Sequence, residues 1–230
     1  MKHQTGYKIL INCFLIFFCL IFFLAIFRLF RSIYFEKKNI EVEKIVLEQA
    51  DMIQFDPTKE IPVNFTKLKE MNEDVVGWIV IPKTHINYAI VKGSDNSFYL
   101  SHDFLKNYNI YGSIFMNYEN KNDFSDANTI LFGHNTYRES MFSDIVKIYE
   151  GEFGTDLSIL IYTPEEVMEY QIYSTYLTVD TDSQPLSTSV NFFEKSDLSF
   201  PKISNLTKTL TISTCYKDDT RRVILHAMKK

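Results

Sequence analysis

The feature that most restricts the fold of this chain is an uninterrupted apolar run near its N-terminus. Residues 9–27 read ILINCFLIFFCLIFFLAIF and contain no charge and a single amide, Asn12. A helix of this length approaches the roughly 30 Å hydrocarbon thickness of a bilayer. A cleaved signal peptide has a shorter apolar region, about 7–15 residues, and a small-residue cleavage site, and neither is evident. The run therefore predicts an uncleaved signal-anchor; the alternative, a buried core helix, usually shows a polar face.

The charges that flank this run do not settle its orientation. Lys2 and Lys8 precede it, and four basic residues follow it between positions 28 and 38. Lys/Arg counting alone leaves the C-terminal flank inside the cell. A long C-terminal domain can translocate regardless of flank charge, so an external domain stays possible.

The composition of the whole chain is that of one β-rich domain with an appendage. Its 230 residues are 46% hydrophobic, and 14 Tyr and 20 Phe stand against 7 Gly. Aromatic and β-branched residues suit a pleated, half-buried surface. The net charge is −5 and no long basic face is present, which argues against nucleic acid as a partner.

Short apolar segments separated by turn signals predict eight strands. Their varied spacing, without a strand–helix–strand rhythm, favours an antiparallel or mixed barrel or sandwich. The segments are 77–81, 86–91, 112–117, 128–133, 157–163, 167–179, 208–214 and 221–228. Helices are expected over 28–56, where Pro57 ends the pattern, from an Asn64 cap to Met71, over 139–149 and within 187–200.

One cysteine stands outside the apolar run. Cys13 and Cys19 lie within it, which leaves Cys215 at the end of the strand TLTIST. A single thiol there cannot form an intramolecular disulfide, and no CxxC pair indicates zinc or dithiol exchange. Cys215 is therefore either a buried small apolar residue or a nucleophile.

Two further side chains could act with this thiol. His134 follows Gly133 at the end of the strand NTILF, and Arg222 opens the last strand. About six residues join the two C-terminal strands, which suits a hairpin that brings Arg222 beside Cys215. Strand alternation puts Arg221 and Arg222 on opposite faces and does not choose between them.

Each of these residues also has a structural interpretation. A lone cysteine on a strand is usually packing, a histidine at a strand end is often solvated, and paired arginines are commonly exposed hairpin charges. His3, His85, His102 and His226 remain candidates by residue type. The grouping therefore needs independent support.

That support is a resemblance to sortases, the cysteine transpeptidases of Gram-positive cell surfaces. TLTISTC resembles the TLxTC strand of the family, TILFGH its strand ending in histidine, and Arg222 with VILHA its late arginine, which favours Arg222 over Arg221. Residues 72–104, with GWIVIP and DNSFYL, and the segment MFSDIVKIY resemble class B members, and 181–206 lies where these insert a helix-containing loop. The resemblance covers roughly residues 65–230. NYAI in place of the usual Tyr-Pro-Val and the short loop from Cys215 to Arg222 are departures.

The resemblance implies a mainly β fold, an eight-stranded sortase barrel with N-terminal helices and a helix in the loop before the cysteine strand. Cys215 would attack the Thr carbonyl of an LPxTG-like C-terminal sorting signal to form a thioacyl-enzyme. His134 would act as general acid and base, and Arg222 would stabilise the oxyanion or position the substrate. Ser213 and Thr214 flank the thiol as candidate substrate contacts. Asp218 and Asp219 are candidates to orient His134 or Arg222.

The implied partners are secreted proteins with sorting signals and an amine of a peptidoglycan precursor or a pilin lysine. The expected division is a cytoplasmic tail and transmembrane anchor over 1–31, a helical linker over 32–64 and an extracellular catalytic domain over 65–230.

No cofactor is expected. Glu119, Asp123 and Asp126 do not have the spacing of a calcium motif, so no obligatory metal is expected either. The alternatives are an exported cysteine peptidase that only hydrolyses and a non-catalytic anchored surface module.

Overall fold

The computed structural model describes residues 2–52, 61–136, 139–181, 186–188, 194–200, 208–217 and 220–230, with the backbone alone for 2–10. Two compact units are present, one ending at Ile40 and one covering Glu41–Lys230. The first unit consists of a single helix, α1, which runs from Lys2 to Gln49 and so continues into the second unit. Among the described residues, α1 alone is long and apolar enough, from residue 11 onward, to cross a membrane.

Helix α1 ends earlier than the predicted residue 56. Asp51 adopts a left-handed backbone conformation with φ of 60°. The N–H of Met52 donates to the carbonyl of Leu47 at 2.9 Å, and that of Asp51 to Glu48 at 3.3 Å. This pattern is the Schellman motif, which closes a helix on one left-handed residue that is usually glycine. Residues 53–56 lie outside the described chain.

The second unit is built around a closed barrel, and all eight predicted strands are present. They are β1 Val75–Val80, β2 Asn87–Val91, β3 Ile114–Met116, β4 Asn128–Phe132, β5 Ser158–Tyr162, β6 Val167–Val179, β7 Thr209–Cys215 and β8 Arg221–Lys229. Their order around the barrel is β1-β2-β3-β4-β7-β8-β6-β5. The predicted mixed barrel is therefore confirmed.

Two of the strand pairs are parallel, and one of them brings two strand ends to the same edge. β2 pairs with β3 and β4 with β7 in parallel, whereas the other pairs are antiparallel. Parallel neighbours end at the same edge of a sheet. The residues that follow Phe132 on β4 therefore emerge beside the end of β7, in the register Phe132 with Ser213.

Alternation along the strands fills the barrel interior. On β8, Val223, Leu225 and Ala227 belong to the interior cluster, and on β7, Leu210 and Ile212 do so. Each fully buried aliphatic side chain stabilises the fold by about 1.5–3 kcal/mol. A second cluster lies on the outer side of β1–β3, where Trp78 packs with residues from the end of α1 and from α2.

The two short helices follow their sequence signals to different extents. Helix α2 spans Phe65–Met71, and the side chain of Asn64 accepts the N–H of Lys67 as predicted for an N-cap. Helix α3 spans Ser143–Tyr149 and is shorter than the predicted 139–149. Glu139 and Met141 both have φ of 53°, and Asn135 bridges to Met141, so this stretch forms a return to the end of β4 before the helix begins.

The helix expected within 187–200 falls largely on residues that the structure does not describe, since 189–193 lie outside it. Of the same stretch, 187–188 and 194–200 are described, and neither piece is α-helical.

Candidate active site

The thiol and the imidazole reach one rim because β4 and β7 run in parallel. β4 ends at Phe132 opposite Ser213, so Gly133 and His134 continue alongside Thr214 and Cys215. The hydroxyl of Thr214 donates to the carbonyl of Gly133 at 2.8 Å and ties the two strand ends together. Thr214 is 2% exposed, so its side chain is buried beneath the rim that the two strand ends form.

The guanidinium reaches the same rim through the predicted hairpin, which is confirmed. Cys215 and Arg222 are directly opposite each other in the antiparallel register of β7 and β8. Nη1 of Arg222 donates to Sγ of Cys215, whose side chain is half-buried. A cation in contact with sulfur favours a thiolate over a thiol.

Asp180, at the end of β6, holds the other side of this guanidinium. Its Oδ1 accepts from Nε of Arg222 at 2.6 Å and lies 2.6 Å from Nη2. A carboxylate that engages two nitrogens fixes the orientation of the planar group. Nη1 is thereby directed to the sulfur. The sequence offered no sign of Asp180, because its contact depends on the pairing of β6 with β8.

Arg221 lies elsewhere. Its guanidinium carbon is 5.1 Å from the ring centroid of Tyr216, in a cation–π contact. The two adjacent arginines therefore point to different partners, as alternation along a strand requires. Strand physics alone left the choice between them open, and the structure brings Arg222, and not Arg221, to the cleft with Cys215.

His134 is oriented by the main chain of another loop. Its Nε2 lies 2.8 Å from the carbonyl oxygen of Leu100. A carbonyl oxygen can only accept a hydrogen bond. In the neutral ring Nε2 therefore carries the hydrogen, and Nδ1 is the nitrogen that can accept a proton. The backbone of the same residue is also held, because its carbonyl accepts the N–H of Phe142 at 2.9 Å. Leu100 was not singled out by the sequence.

Gly133 allows this close approach. A Cβ built on it would meet Cδ1 of Ile114 and would lie 2.7 Å from Cδ2 of Phe142. Real Cβ contacts are longer than this, so a side chain here would displace one of the two neighbours. The glycine before the histidine is thus required by the packing of β3 and α3 around the strand end.

These groups open into one cleft of about 450 Å³. The polar side chains of His134, Cys215, Arg222 and Asp180 lie along it, and apolar side chains supply much of the remaining wall. The apolar residues are Leu100, Phe115, Phe132, Leu186 and Ile224. Ser213 and Thr214 line it too, whereas Asp218 and Asp219 lie outside the described residues.

The other described histidines have partners away from this cleft. His85 contacts the carboxylate of Asp144, with Nδ1 at 3.0 Å from Oδ2. His102 stacks on Phe98 at 4.0 Å between ring centroids. His226 is fully buried, and burial lowers its pKa to about 3. The side chain of His3 is not described.

The candidate calcium ligands are engaged within their own loop. Asp123 accepts the N–H of Ser125 at 3.0 Å, and Asp126 accepts that of Lys121 at 2.7 Å. Within the described part of the chain no group of three or more His, Cys, Asp or Glu side chains has an arrangement that could hold a metal ion.

Comparisons with known proteins agree on one family. The family model described as a sortase domain matches residues 79–230. Sortase B of Listeria monocytogenes serovar 1/2a is 32% identical over 168 residues, which is 68% of each chain. Sortase B of Staphylococcus aureus (strain NCTC 8325) is 28% identical over 211 residues, 84% of this chain and 86% of that one. The crystal structure of Clostridium perfringens sortase B superposes with a TM-score of 0.66 at 27% identity, covering 73% of this chain and all of that one.

Proposed function

Since this chain belongs to class B of the sortase family of cysteine transpeptidases, we propose that it cleaves an LPxTG-like C-terminal sorting signal and transfers the released protein to an amine of a cell-wall precursor. The observation that carries this proposal is the meeting of three side chains at one cleft. Cys215, His134 and Arg222 come from three different strand ends, and all of them line it.

The first half-reaction is acylation of Cys215. Its thiolate attacks the carbonyl carbon of the signal's threonine, a C–S bond forms, and the C–N bond to the following residue breaks. The leaving amine takes a proton from His134, in its imidazolium form. Because Nε2 is engaged by Leu100, Nδ1 is the nitrogen that gives up this proton. A thioester and a neutral imidazole remain.

The second half-reaction returns the enzyme to its starting state. An incoming amine attacks the thioester carbon, and neutral His134 takes the proton that this amine loses. The C–S bond breaks and the sulfur leaves as thiolate, beside Arg222. In both steps the oxygen of the carbonyl becomes negatively charged, and a fixed guanidinium next to the sulfur stabilises that charge or positions the peptide that carries it. Ser213 is proposed as a substrate contact, and so is the main chain of Thr214, because the hydroxyl of Thr214 is engaged by the carbonyl of Gly133.

We place this chemistry at the cell membrane, outside the cell. The division is a cytoplasmic tail and single-pass anchor over 1–31, a helical linker over 32–64 and the catalytic domain over 65–230. The length and composition of α1 support the anchor. An anchored enzyme meets secreted substrates as they emerge.

The acceptor is an amine of a peptidoglycan precursor, or a pilin lysine. The cleavage step alone is that of a thiol protease, the EC 3.4.22 class.

The test uses the full chain in detergent with a library of peptides that carry LPxTG-like sequences, with and without triglycine or diaminopimelate. We expect cleavage, an amine-dependent ligation product and loss of both in Cys215→Ala. A Cys13→Ser/Cys19→Ser variant serves as the control and should retain full activity.

Other outcomes would identify the rival functions. Cleavage without any ligated product would favour an exported peptidase that only hydrolyses. A Cys215 thiol that reacts with iodoacetamide only after unfolding, with no peptide cleaved, would favour a non-catalytic surface module.

A further inference from the structure

A continuous series of buried hydrogen bonds lies on the face of the sheet that carries the thiol. We call it the buried relay; it consists of the side chains of Tyr176, His226, Thr211 and Asn128. The hydroxyl of Tyr176 lies 3.2 Å from Nε2 of His226, and Nδ1 of His226 lies 2.8 Å from Oγ1 of Thr211. Oγ1 of Thr211 lies 2.7 Å from Oδ1 of Asn128. The residues come from β6, β8, β7 and β4.

The relay shares its face with the candidate catalytic residues. Side chains two positions apart on a strand lie on the same face. On β7 the sequence therefore runs Thr211, Ser213, Cys215 along this face, and on β8 it runs His226, Ile224, Arg222. The relay continues the wall of the cleft, of which Ser213 and Ile224 are part.

The hydrogens in the relay can be placed by elimination. Nδ2 of Asn128 donates to the carbonyl of Ser187 at 3.0 Å, so Oδ1 is left to accept the hydroxyl hydrogen of Thr211. A threonine hydroxyl has one hydrogen, so Thr211 accepts from Nδ1–H of His226. The neutral imidazole then has its lone pair on Nε2, where the hydroxyl of Tyr176 donates. Every donor therefore points toward Ser187.

Burial keeps this arrangement in a single state. His226 is fully buried, and burial lowers its pKa to about 3, so the ring stays neutral over the physiological range. A protonated ring would place a hydrogen on Nε2 opposite the tyrosine hydroxyl and reverse that bond.

The far end of the relay fastens a short piece of the connection between β6 and β7. Asn128 holds two successive carbonyls, that of Ser187 through its amide and that of Thr188 through its main-chain N–H at 3.1 Å. The carbonyl of Asn128 is itself held by Nδ2 of Asn120 at 2.8 Å. The preceding residue, Leu186, lines the cleft together with Cys215 and Arg222.

We propose that the buried relay is a positioning element that holds residues 186–188 as one wall of the peptide cleft, and that Asn128 and Thr211 thereby determine peptide recognition without touching the reacting atoms. The assignment of peptide recognition rests on the proposed function, whereas the fastening of residues 186–188 does not. Asn128 acts directly on that segment. The other three side chains of the relay act on the segment through Asn128.

The test compares full-length variants that break the relay with a matched one that does not. Asn128→Ala removes the amide that holds Ser187, and Thr211→Val removes the hydroxyl at constant shape. Thr211→Ser retains the hydroxyl and should rescue. Thr175→Val is the control, because Thr175 is equally buried and its hydroxyl donates to the carbonyl of Ile224 at 3.0 Å, outside the relay.

Kinetics with the best-cleaved peptide of the library form the first measurement. We expect KM to rise about five- to tenfold in Asn128→Ala and Thr211→Val, as for the loss of one buried hydrogen bond, while kcat stays near the wild-type value. Alkylation of Cys215 by iodoacetamide should keep its wild-type rate. An unchanged KM, or an equal rise in Thr175→Val, would overturn the role in recognition.

Hydrogen exchange read by mass spectrometry forms the second measurement and needs no substrate. The main-chain N–H of residue 128, which donates to the carbonyl of Thr188 at 3.1 Å, should exchange about tenfold faster in the two relay variants and at the wild-type rate in Thr211→Ser and Thr175→Val. Unchanged exchange would overturn the relay itself. If the wild type cleaved no peptide while the exchange pattern appeared, the proposed function would fail and the fastening of the segment would stand.

Discussion

The side chain of Arg222 divides its hydrogen-bond donors between the sulfur of Cys215 and the carboxylate of Asp180. A guanidinium held on two edges cannot rotate freely, so its charge stays at a defined point beside the sulfur of Cys215. Lysine offers a single flexible ammonium and lacks this fork. The contribution of Arg222 therefore depends on its geometry as much as on its charge.

We expect His134→Ala and Arg222→Ala each to lower kcat/KM by about 10²–10³, the usual cost of losing one group that stabilises a transition state. Arg221→Ala should change kcat/KM by less than about threefold, because that side chain lies over Tyr216. Peptide turnover by the three purified full-length variants measures this. Equal losses from both arginine variants would contradict the assignment. Thermal unfolding serves as the control for folding.

His226 predicts how stability depends on pH. Burial lowers its pKa from 6.5 to about 3, so the unfolded chain takes up a proton at a higher pH than the folded one. Stability is then fully present above pH 6.5 and falls as the pH drops toward 3. Between pH 6 and 5 the free energy of unfolding should fall by up to about 1.4 kcal/mol per pH unit, the value expected when unfolding takes up one proton.

Urea unfolding across this pH range, repeated with His226→Gln, isolates that contribution. The variant should be less stable at pH 7 because the relay is broken, but its stability should decline less with acidification. Parallel slopes in the two proteins would show that His226 is not the source of the loss.

At the residue level, the sequence indicated the candidate reacting groups but not the residues that hold them in place. Cys215, His134 and Arg222 stand in short motifs that resemble a known family. Asp180 and the carbonyl of Leu100 contact them only through tertiary structure. A carboxylate after a strand and a main-chain carbonyl carry no local signal of their role. The roles of the three motif residues, and of Ser213 and Thr214, stay predictions until variants are measured.

Among the elements, the strand end that carries His134 leaves no room for a side chain at Gly133. Gly133 lies between Ile114 of β3 and Phe142, the residue before α3. We expect Gly133→Ala to lower the free energy of unfolding by about 1–3 kcal/mol, because a methyl group forced into this gap displaces its neighbours. The same displacement moves His134, so kcat should fall more than KM rises.

Gly93→Ala is the matched control for this substitution. A Cβ at Gly93 would lie 3.4 Å from its nearest neighbours, an ordinary contact. Chemical unfolding of both variants measures their stability, and peptide turnover measures their activity. Comparable stability and activity in Gly133→Ala and Gly93→Ala would mean that the strand end tolerates a side chain.

Element types were predictable where the pattern was local, and element ends were not. Short apolar segments between turn signals predicted all eight strands, and Asn64 capped α2 as expected. The end of α1 and the start of α3 depended on left-handed backbone conformations at Asp51, Glu139 and Met141. Such conformations are uncommon for residues other than glycine, and the surrounding contacts decide them. Periodicity alone therefore extended both helices too far.

For the molecule as a whole, closure of the barrel is what assembles the site. The order β4-β7-β8-β6 puts the ends of β4 and β7, the start of β8 and the end of β6 around one cleft. Two parallel pairs make this possible, and both join strands that are distant in sequence or connected by long loops. Strand order of this kind cannot be predicted from local sequence patterns. The hairpin of β7 and β8 was predictable because its loop is short.

The orientation of the chain in the membrane is the prediction that belongs to the whole molecule. Flanking charge alone would leave the residues after the anchor inside the cell, whereas the proposed function requires them outside. A C-terminal domain of this length can translocate regardless of a few flanking lysines and arginines. In a Cys13→Ser/Cys19→Ser background, a charged methanethiosulfonate that cannot cross membranes should therefore modify Cys215 in intact cells. Its half-buried thiol opens into the cleft, so a reagent of this size can reach it.

A second thiol separates topology from accessibility in this experiment. Glu152 is exposed in the turn that follows α3, and Glu152→Cys combined with Cys215→Ala presents an unhindered thiol on the same domain. Labelling of both variants in intact cells establishes an external domain. Labelling of the Glu152→Cys variant alone would mean that the cleft excludes the reagent. Labelling of both variants only after lysis would place the domain inside, where the sorting reaction has no substrate, and the charge count would have been the better guide.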